Sequence, residues 1–430
     1  MSPTWFLGLI VFAVLVSALL SLNGGQLALV VPILVYWAYA LVRAPANVTI
    51  RGTRTLTSNQ VSAGESVEVN VEIKNEGAFL EELVLEDALP SGLELVKGGR
   101  RHILSLGRNA RFSFSYSIRG QRGGYTFDGI LAEAGDTLGM LRFSTNIPAP
   151  ARLQVMPTVN RIAAIPIRPR RTRVYSGVIP ARVGGAGVEF FGVRPYSNGD
   201  SARRINWRLL ARHPQSLYCN EFQQERIADV AVVLDGRERA NLQGRHGALF
   251  EHCVLAAGSL ASAFLQQGNR VGLLVYSHYL QWTFPGYGKV QRQRILQALA
   301  VATPGASQVF EGLQYLPTRL FPVESQIIFI SPVLEADPKT IIQLRARGYQ
   351  VTVIAPDPVA FELADLPNPR SRYSRSDSEL AARIVGLERR ALLGRLRRGG
   401  VQVIEWDVSK PFDQTIAVAT RQTHPWRTPA

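Results

Sequence analysis

The sequence predicts a multidomain chain: two transmembrane helices, an all-β sandwich and a doubly wound α/β domain. Three observations predict it. Two uncharged apolar runs open the chain, Trp5 to Leu22 and Gln26 to Val42. Short segments of alternating polarity follow, and beyond Ile227 apolar strands alternate with amphipathic helical stretches. With 430 residues and 46% hydrophobic content, the chain can build two or three cores of ordinary size.

The opening runs hold 18 and 17 residues without a charge, separated by Asn23, Gly24 and Gly25. At a helical rise of about 1.5 Å per residue each is about long enough to cross the hydrocarbon core. A cleaved signal peptide would carry a basic start and lead into polar sequence, and here a second apolar run follows at once. Residues 1–45 therefore read as a membrane hairpin. Arg43, Arg51 and Arg54 come just after it, and the positive-inside rule then puts both ends and the later domains in the cytoplasm, as for a multi-pass protein of the cell membrane.

Residues 46–158 contain segments such as SVEVNVEIKN and ARFSFSYSIRG, broken by AGES, NEGA, LPSG and KGG turns. Alternation over five to eight residues at this spacing predicts an antiparallel immunoglobulin-like sandwich. Nothing catalytic stands out in it. Residues 159–226 differ: from Asn160 to Arg226 there are twelve arginines against Glu189, Asp200, Glu221 and Glu225, a net of +8. The first part, RIAAIPIRPRRTRVYSGVIPAR, has no acid and is punctuated by prolines, so it reads as an extended basic connector.

Residues 227–430 form the α/β domain. Strands are expected at ADVAVVLD, NRVGLLVYS, QIIFISPV, YQVTVIAP and VQVIEWD, and helices near Ala248 to Gln267, Val290 to Ala302, Lys339 to Arg347, Glu379 to Arg398 and Phe412 to Arg421. Continuous apolar strands between amphipathic helices imply a mainly parallel sheet covered on both faces. Such sheets place ligands at the carboxyl ends of their strands, where Asp235 lies.

The formal charge is +15, from 48 Lys and Arg against 33 Asp and Glu, and it suits an anionic partner such as the cytoplasmic leaflet of a lipid bilayer. Nucleic acid is a poorer fit, since stacking needs aromatics among the basic residues and the connector offers only Tyr175. Two cysteines, Cys219 and Cys253, support neither a disulfide framework nor a four-ligand zinc site, and both sit in apolar context.

The segment GVEFFGVRPYSNGDSARRINWRLLAR, Gly187 to Arg212, resembles the signature of the prokaryotic family called domain of unknown function fifty-eight. The matching positions are Arg194, Tyr196, Gly199, Asp200, Arg203 or Arg204, Ile205, Trp207, Ala211 and Arg212. Arg122 to Tyr125 and the GDTLG stretch are also similar to the family, whereas Pro195 stands where it usually has Glu. The resemblance implies two amino-terminal spans, a sandwich and a von Willebrand factor A-like domain. It also implies association with a MoxR-type AAA+ ATPase and a transglutaminase-like membrane protein.

Within the signature, Asp200 is expected to cap a helix over SARRINWRLL, with Ile205 and Leu209 on one face and Trp207 as a core anchor. Arg204, Arg208 and Arg212 would then recur every four residues as a cationic stripe, to be neutralised by acids such as Glu221 and Glu225 or by an acidic partner. The cluster, with Arg203, is thus either a structural ion-pair network or a binding surface.

The von Willebrand A pattern draws a magnesium site from Asp-x-Ser-x-Ser, a distant threonine and a later aspartate. Here Arg237 and Arg239 replace the serines, and Asp235 is the recognisable survivor. It is expected to pair with one of these arginines, as a degenerate metal-site position without a metal. GYGKV lacks the features of a phosphate loop, AAGSLAS is no nucleophile elbow, and the six histidines show no paired-ligand spacing. No cofactor or catalytic residue is expected. Two hypotheses remain: a membrane-anchored, non-catalytic adaptor or assembly factor, and a membrane-associated enzyme or nucleic-acid binder using the cluster from Arg194 to Arg212.

Overall fold

The structure, a computed structural model, describes residues 3–21, single positions between 25 and 35, 48–135, 142–162, 173–244, 247–307, parts of 312–322, 325–365 and 372–422. The chain divides into two units, Met1–Met156 and Pro157–Ala430. Most of the expected second span and the GDTLG stretch lie outside the described residues.

The first unit begins with helix α1, Pro3–Ser21, which has no acid in its first turn and no base in its last. Val11 and Ala18, seven positions apart, are buried, as is Val30, while Phe12, Leu19 and Leu20 are 68, 73 and 82% exposed. One described helix is long and apolar enough to cross a membrane by length and composition. It is Leu249–Gln266 of the second unit, and it is 78% buried, as a core helix would be. Leu9–Leu20 is a shorter apolar stretch, so two spans are not seen among the described residues.

The rest of this unit is two stacked sheets. One has the order β1 (Ile50–Leu56), β3 (Ser66–Asn75), β7 (Arg111–Gly120), β5 (Leu93–Gly98). The other runs β2 (Gln60–Ser62), β9 (Arg142–Met156), β8 (Gly123–Gly135), β4 (Leu80–Asp87), β6 (Arg101–Leu106). Period-two alternation drives the packing: in β3, Val67, Val69, Val71 and Ile73 are buried while Glu68, Asn70 and Glu72 face out. Facing residues such as Leu83, Leu85, Ile130 and Ala132 complete one core.

That core encloses an ion pair absent from the sequence reading. Arg54 of β1 and Asp87 at the end of β4 have fully buried side chains and join the two sheets. The guanidinium donates to both Asp87 oxygens and to the carbonyls of Ala149 and Gly129, and lies 4.8 Å from the Phe127 ring centroid. Tyr116 donates its hydroxyl to Asp87 Oδ2 at 2.7 Å. Burial, then the adjacent carboxylate, pushes the Tyr116 pKa far above its ordinary value. Every strong polar group here has a partner, which is the condition for tolerating charge in a core.

In the second unit, β10 (Arg173–Pro195) and β11 (Tyr218–Ile227) form an antiparallel hairpin with several register shifts. This corrects the expected connector: from Arg173 onward the basic stretch is a strand. Its pairing with residues about forty positions away leaves no local periodic signal. The main sheet has the order β16 (Leu280–Gly286), β15 (Arg270–Tyr276), β12 (Asp229–Asp235), β17 (Gln326–Ile330), β18 (Gln350–Pro356), β19 (Gln402–Trp406). All its pairings are parallel except the edge pair β15–β16. A two-residue ladder, β13 (Gln243–Gly244) with β14 (Gly247–Ala248), precedes the first long helix.

Helices cover both faces. Val230, Val232 and Leu234 of β12 pack with α3 (Leu249–Gln266), α4 (Gly288–Val301) and α8 (Phe412–Gln422). Ala231 and Val233 pack on the other side with α5 (Asp337–Ala346) and α7 (Arg372–Arg398). One short helix, α6 (Pro358–Asp365), and the edge strand β16 were not anticipated. The signature segment contributes α2, Trp207–Arg212.

Candidate functional site

Asp235 ends the central strand β12, and with a parallel strand on each side its carboxylate sits at the carboxyl edge of the sheet, 2% exposed. The next residues turn back on it. Arg237 donates its backbone N–H and its Nε to Asp235 Oδ1, at 3.1 and 2.9 Å, and its Nη2 to Oδ2 at 2.7 Å. The guanidinium also grips a second carboxylate: Nη1 reaches Asp337 Oδ1 at 3.0 Å and Nη2 reaches Oδ2 at 2.7 Å. Ser331, just past β17, donates its hydroxyl to Asp235 Oδ2 at 2.6 Å and accepts from the Val333 N–H at 3.0 Å. Asn241 donates to the carbonyls of Asp235 and Arg237.

Asp337, at the start of α5, was not singled out in the sequence, and it is the residue that completes the cluster. Its Oδ2 also accepts from the Leu334 N–H at 2.8 Å, which closes the loop between β17 and α5. Within that loop Val333 adopts φ +66°, a left-handed conformation costly for a β-branched residue. Arg389 of α7 holds the loop from the other side through the Pro332 carbonyl at 2.9 Å, and ties it to the Ala355 and Pro356 carbonyls at the end of β18.

Burial opposes the charge of Arg237, and the two carboxylates overcome it, so its pKa lies above the ordinary guanidinium value. Burial pushes the Asp337 carboxyl above the usual range, with Arg237 pulling it back down. A cation is thus already built in between the two acids. The oxygen donors a divalent ion would need are turned onto a guanidinium, and the residues present do not fit a resident metal. The expectation that Asp235 pairs with one of the following arginines holds for Arg237, and Arg239 is exposed. Among the described residues no three His, Cys, Asp or Glu side chains come together as a metal-binding group. Cys253 is fully buried, and burial holds its thiol well above the ordinary pKa.

The signature residues form a second cluster on the hairpin's end. Arg194 makes a two-pronged bond to Asp200, Nη1 to Oδ2 at 2.7 Å and Nη2 to Oδ1 at 2.6 Å, and its Nε lies 3.6 Å from Glu221 Oε1. Asp200 also accepts from the Ser197 N–H at 2.9 Å, closing the turn in which Gly199 takes φ +106°. Tyr196 leads into this turn, its N–H bonded to the Leu217 carbonyl. Hydrogen bonding to Arg194 holds the Asp200 carboxyl below its usual range and raises Arg194 in return.

Three expectations are corrected here. Asp200 caps no helix: its carboxylate is spent on Arg194 and the turn, and Asn206 caps α2 by accepting from the Leu209 N–H at 3.0 Å. The helix expected over SARRINWRLL is split into a short 3-10 turn, Ala202–Arg204, and α2, because Ile205 bridges to Cys219 and the Asn206 N–H bonds to the Tyr218 carbonyl. Arg204 therefore leaves the stripe, and Arg208 and Arg212 remain on the helix. Trp207 is no core anchor, being 63% exposed, and Arg203, Arg208 and Arg212 are exposed around it in the same segment. Glu221 meets Arg194 rather than the stripe.

The class that emerges is a chain with an apolar amino-terminal helix, a two-sheet β unit and a mainly parallel α/β unit whose carboxyl edge is closed by an internal ion triad. Within it, residues 192–368 match the family described as Protein of unknown function DUF58. That match covers about two fifths of the chain and contains both clusters, so family membership is supported for this segment. No curated protein matches the chain in sequence. Among solved structures, the CARDB domain of a Pyrococcus furiosus protein is 16% identical, covering 25% of this chain and 93% of its own, at a TM-score of 0.18. A FixG-related protein from Vibrio parahaemolyticus is 12% identical, with 25% and 95% covered and a TM-score of 0.18. A non-cellulosomal cohesin from Archaeoglobus fulgidus is 16% identical, with 24% and 91% covered and a TM-score of 0.18. Likenesses this slight bear on neither fold nor activity.

Proposed function

We propose that the chain is a membrane-anchored, non-catalytic adaptor or assembly factor that works by protein–protein contact. Its principal partner in this reading is a MoxR-type AAA+ ATPase, with a transglutaminase-like membrane protein beside it. The observation that carries the reading is the outer face of the signature segment. Arg194, Asp200 and Asn206 fix that segment from within, and Trp207 with Arg203, Arg208 and Arg212 is left facing out. Tryptophan and arginine are the residues that most often dominate the energy of a protein interface. The choice of an ATPase comes from the family resemblance of the signature.

The same reading takes α1 as a membrane span, with the second apolar run completing a multi-pass anchor and the later domains in the cytoplasm. Its support is the row of exposed apolar residues on α1, which favours lipid over water. The two-sheet unit is read as immunoglobulin-like. The α/β unit is read as von Willebrand factor A-like, with Arg237 in place of the cation.

The test is co-purification of the full chain from native membranes. The wild type should bring down the ATPase, and Trp207→Ala with Arg208→Ser should lose it while unfolding at nearly the same temperature, since both residues are exposed. Undiminished recovery by the double variant would sink the proposal. One observation favours the alternative of a nucleic-acid binder: the exposed Trp207 ring among arginines supplies the stacking group that the connector lacked. Quenching of tryptophan fluorescence by a single-stranded oligonucleotide, abolished in Trp207→Phe, would favour that alternative.

A further inference from the structure

Strand β19 closes one side of the main sheet, paired in parallel with β18 and with no described strand beyond it. The Asp357 N–H donates to the Trp406 carbonyl, which sets the phase of the ladder. Backbone groups alternate sides along a strand, so Gln402, Ile404 and Trp406 turn theirs toward β18, and Val403 and Glu405 turn theirs to the free edge. Val401 is in the same phase as these two, and its N–H goes outward to the Leu396 carbonyl of α7. Among the described residues nothing bonds to the backbone N–H or carbonyl that Val403 and Glu405 present there.

This edge is the floor of a groove of about 530 Å³. One wall is α8, where Thr415, Val418 and Ala419 line it, and the other is the last turn of α7, at Arg397. The walls are fixed to the floor, since Ile404 and Trp406 share a core with Phe412 and Ile416 of α8, and Val403 packs on the core that holds Leu393 and Leu396 of α7. Val418 is 54% exposed, an uncovered apolar side chain on the wall. The charges cancel: Arg397 pairs with Glu405, and Lys410 with Asp407. Open donors and acceptors at strand spacing are met by another extended backbone. The groove therefore suits an uncharged extended segment that matches the 5 residues of β19, with apolar side chains at alternate positions against Val418 and Ala419.

We propose that β19 takes such a strand from a partner protein, extending the main sheet by one. A second copy of this chain is a poorer occupant, because its own edge lies between the same two walls and cannot reach this floor. Residues 423–430, THPWRTPA, are poorer too, with two prolines that lack the donor and one arginine. The proposal does not rest on the adaptor reading, which concerns Trp207 and its neighbours, and either can fail alone.

Binding of the full chain in detergent to an immobilised, end-capped heptapeptide of valine alternating with serine tests it. Binding should be saturable, and the same peptide methylated at every backbone nitrogen should not bind. Val418→Glu puts a charge on the exposed wall and should weaken binding at least about tenfold. Val403→Pro removes a donor that β18 does not use, as edge strands tolerate, and should do the same with the unfolding temperature nearly unchanged. No saturable binding, equal binding of the methylated peptide, or undiminished binding by Val418→Glu would each overturn the proposal. So would two other outcomes. A chain ending at Gln422 that binds the peptide at least about tenfold more tightly would give the groove to residues 423–430, and a dimer in sedimentation that Val418→Glu abolishes would give it to a second copy.

Discussion

Removing the guanidinium of Arg237 should expose the cost of the buried acids it serves. In Arg237→Met the apolar stem is kept, and Asp235 and Asp337, 2% and 1% exposed, lose their shared cation. Breaking a buried pair by deleting one partner costs about 3–5 kcal/mol, here on the order of 10 °C in unfolding temperature for a unit of this size. The pH dependence carries the more specific signature. Burial raises the folded pKa of Asp337 above its unfolded value, so its stabilising contribution is complete below the unfolded pKa and is lost as pH rises through the folded one. Without Arg237 to lower it, the folded pKa climbs further. The deficit of the variant should therefore be largest near pH 8 and narrow as pH falls toward about 5, where protonation of Asp337 relieves the unpaired charge. Arg237→Met with Asp337→Asn should recover part of the loss at neutral pH. Thermal scans across pH, followed by circular dichroism, read all three. A deficit that does not change with pH, or that grows on acidification, would refute the account of Arg237 as the internal cation.

Three further outcomes are expected. In the β unit, Arg54→Ala should cost about 3–5 kcal/mol in urea unfolding, because it strands Asp87 in the core, while Tyr116→Phe should cost about 1–2 kcal/mol for one hydrogen bond. Titration of the full chain with magnesium or manganese should give no saturable heat, and a micromolar site abolished by Asp235→Ala would contradict the reading of that edge. Protease added to intact spheroplasts should leave both large units uncut; extensive digestion would reverse the proposed topology.

Much of the scaffold was legible because its signals are local. Alternation in SVEVNVEIKN and the apolar runs before Asp235 and through QIIFI identify strands whose burial follows from their neighbours in sequence. The misses are long-range. LQWTFPG is an edge strand containing Pro285, with no clean alternation, and it needs β15 to define it. β10 is rich in glycine and arginine, and it becomes a strand because β11 returns beside it. Asp337 lies 100 positions from Arg237, and no spacing rule links them, although Ser331 and an Asp-Pro helix start flank the same loop. A continuous helix over SARRINWRLL would make Trp207 a core anchor, yet bonds from Ile205 and Asn206 to β11 break that helix and the indole faces out.

The adaptor claim rests on what touches Trp207. A photoreactive phenylalanine analogue at position 207, irradiated in native membranes, should yield one dominant adduct whose second component is an AAA+ ATPase, and the same probe at exposed Ala336 should not. Irradiation at position 207 that yields no protein adduct, or adducts only with lipid or nucleic acid, would contradict the account.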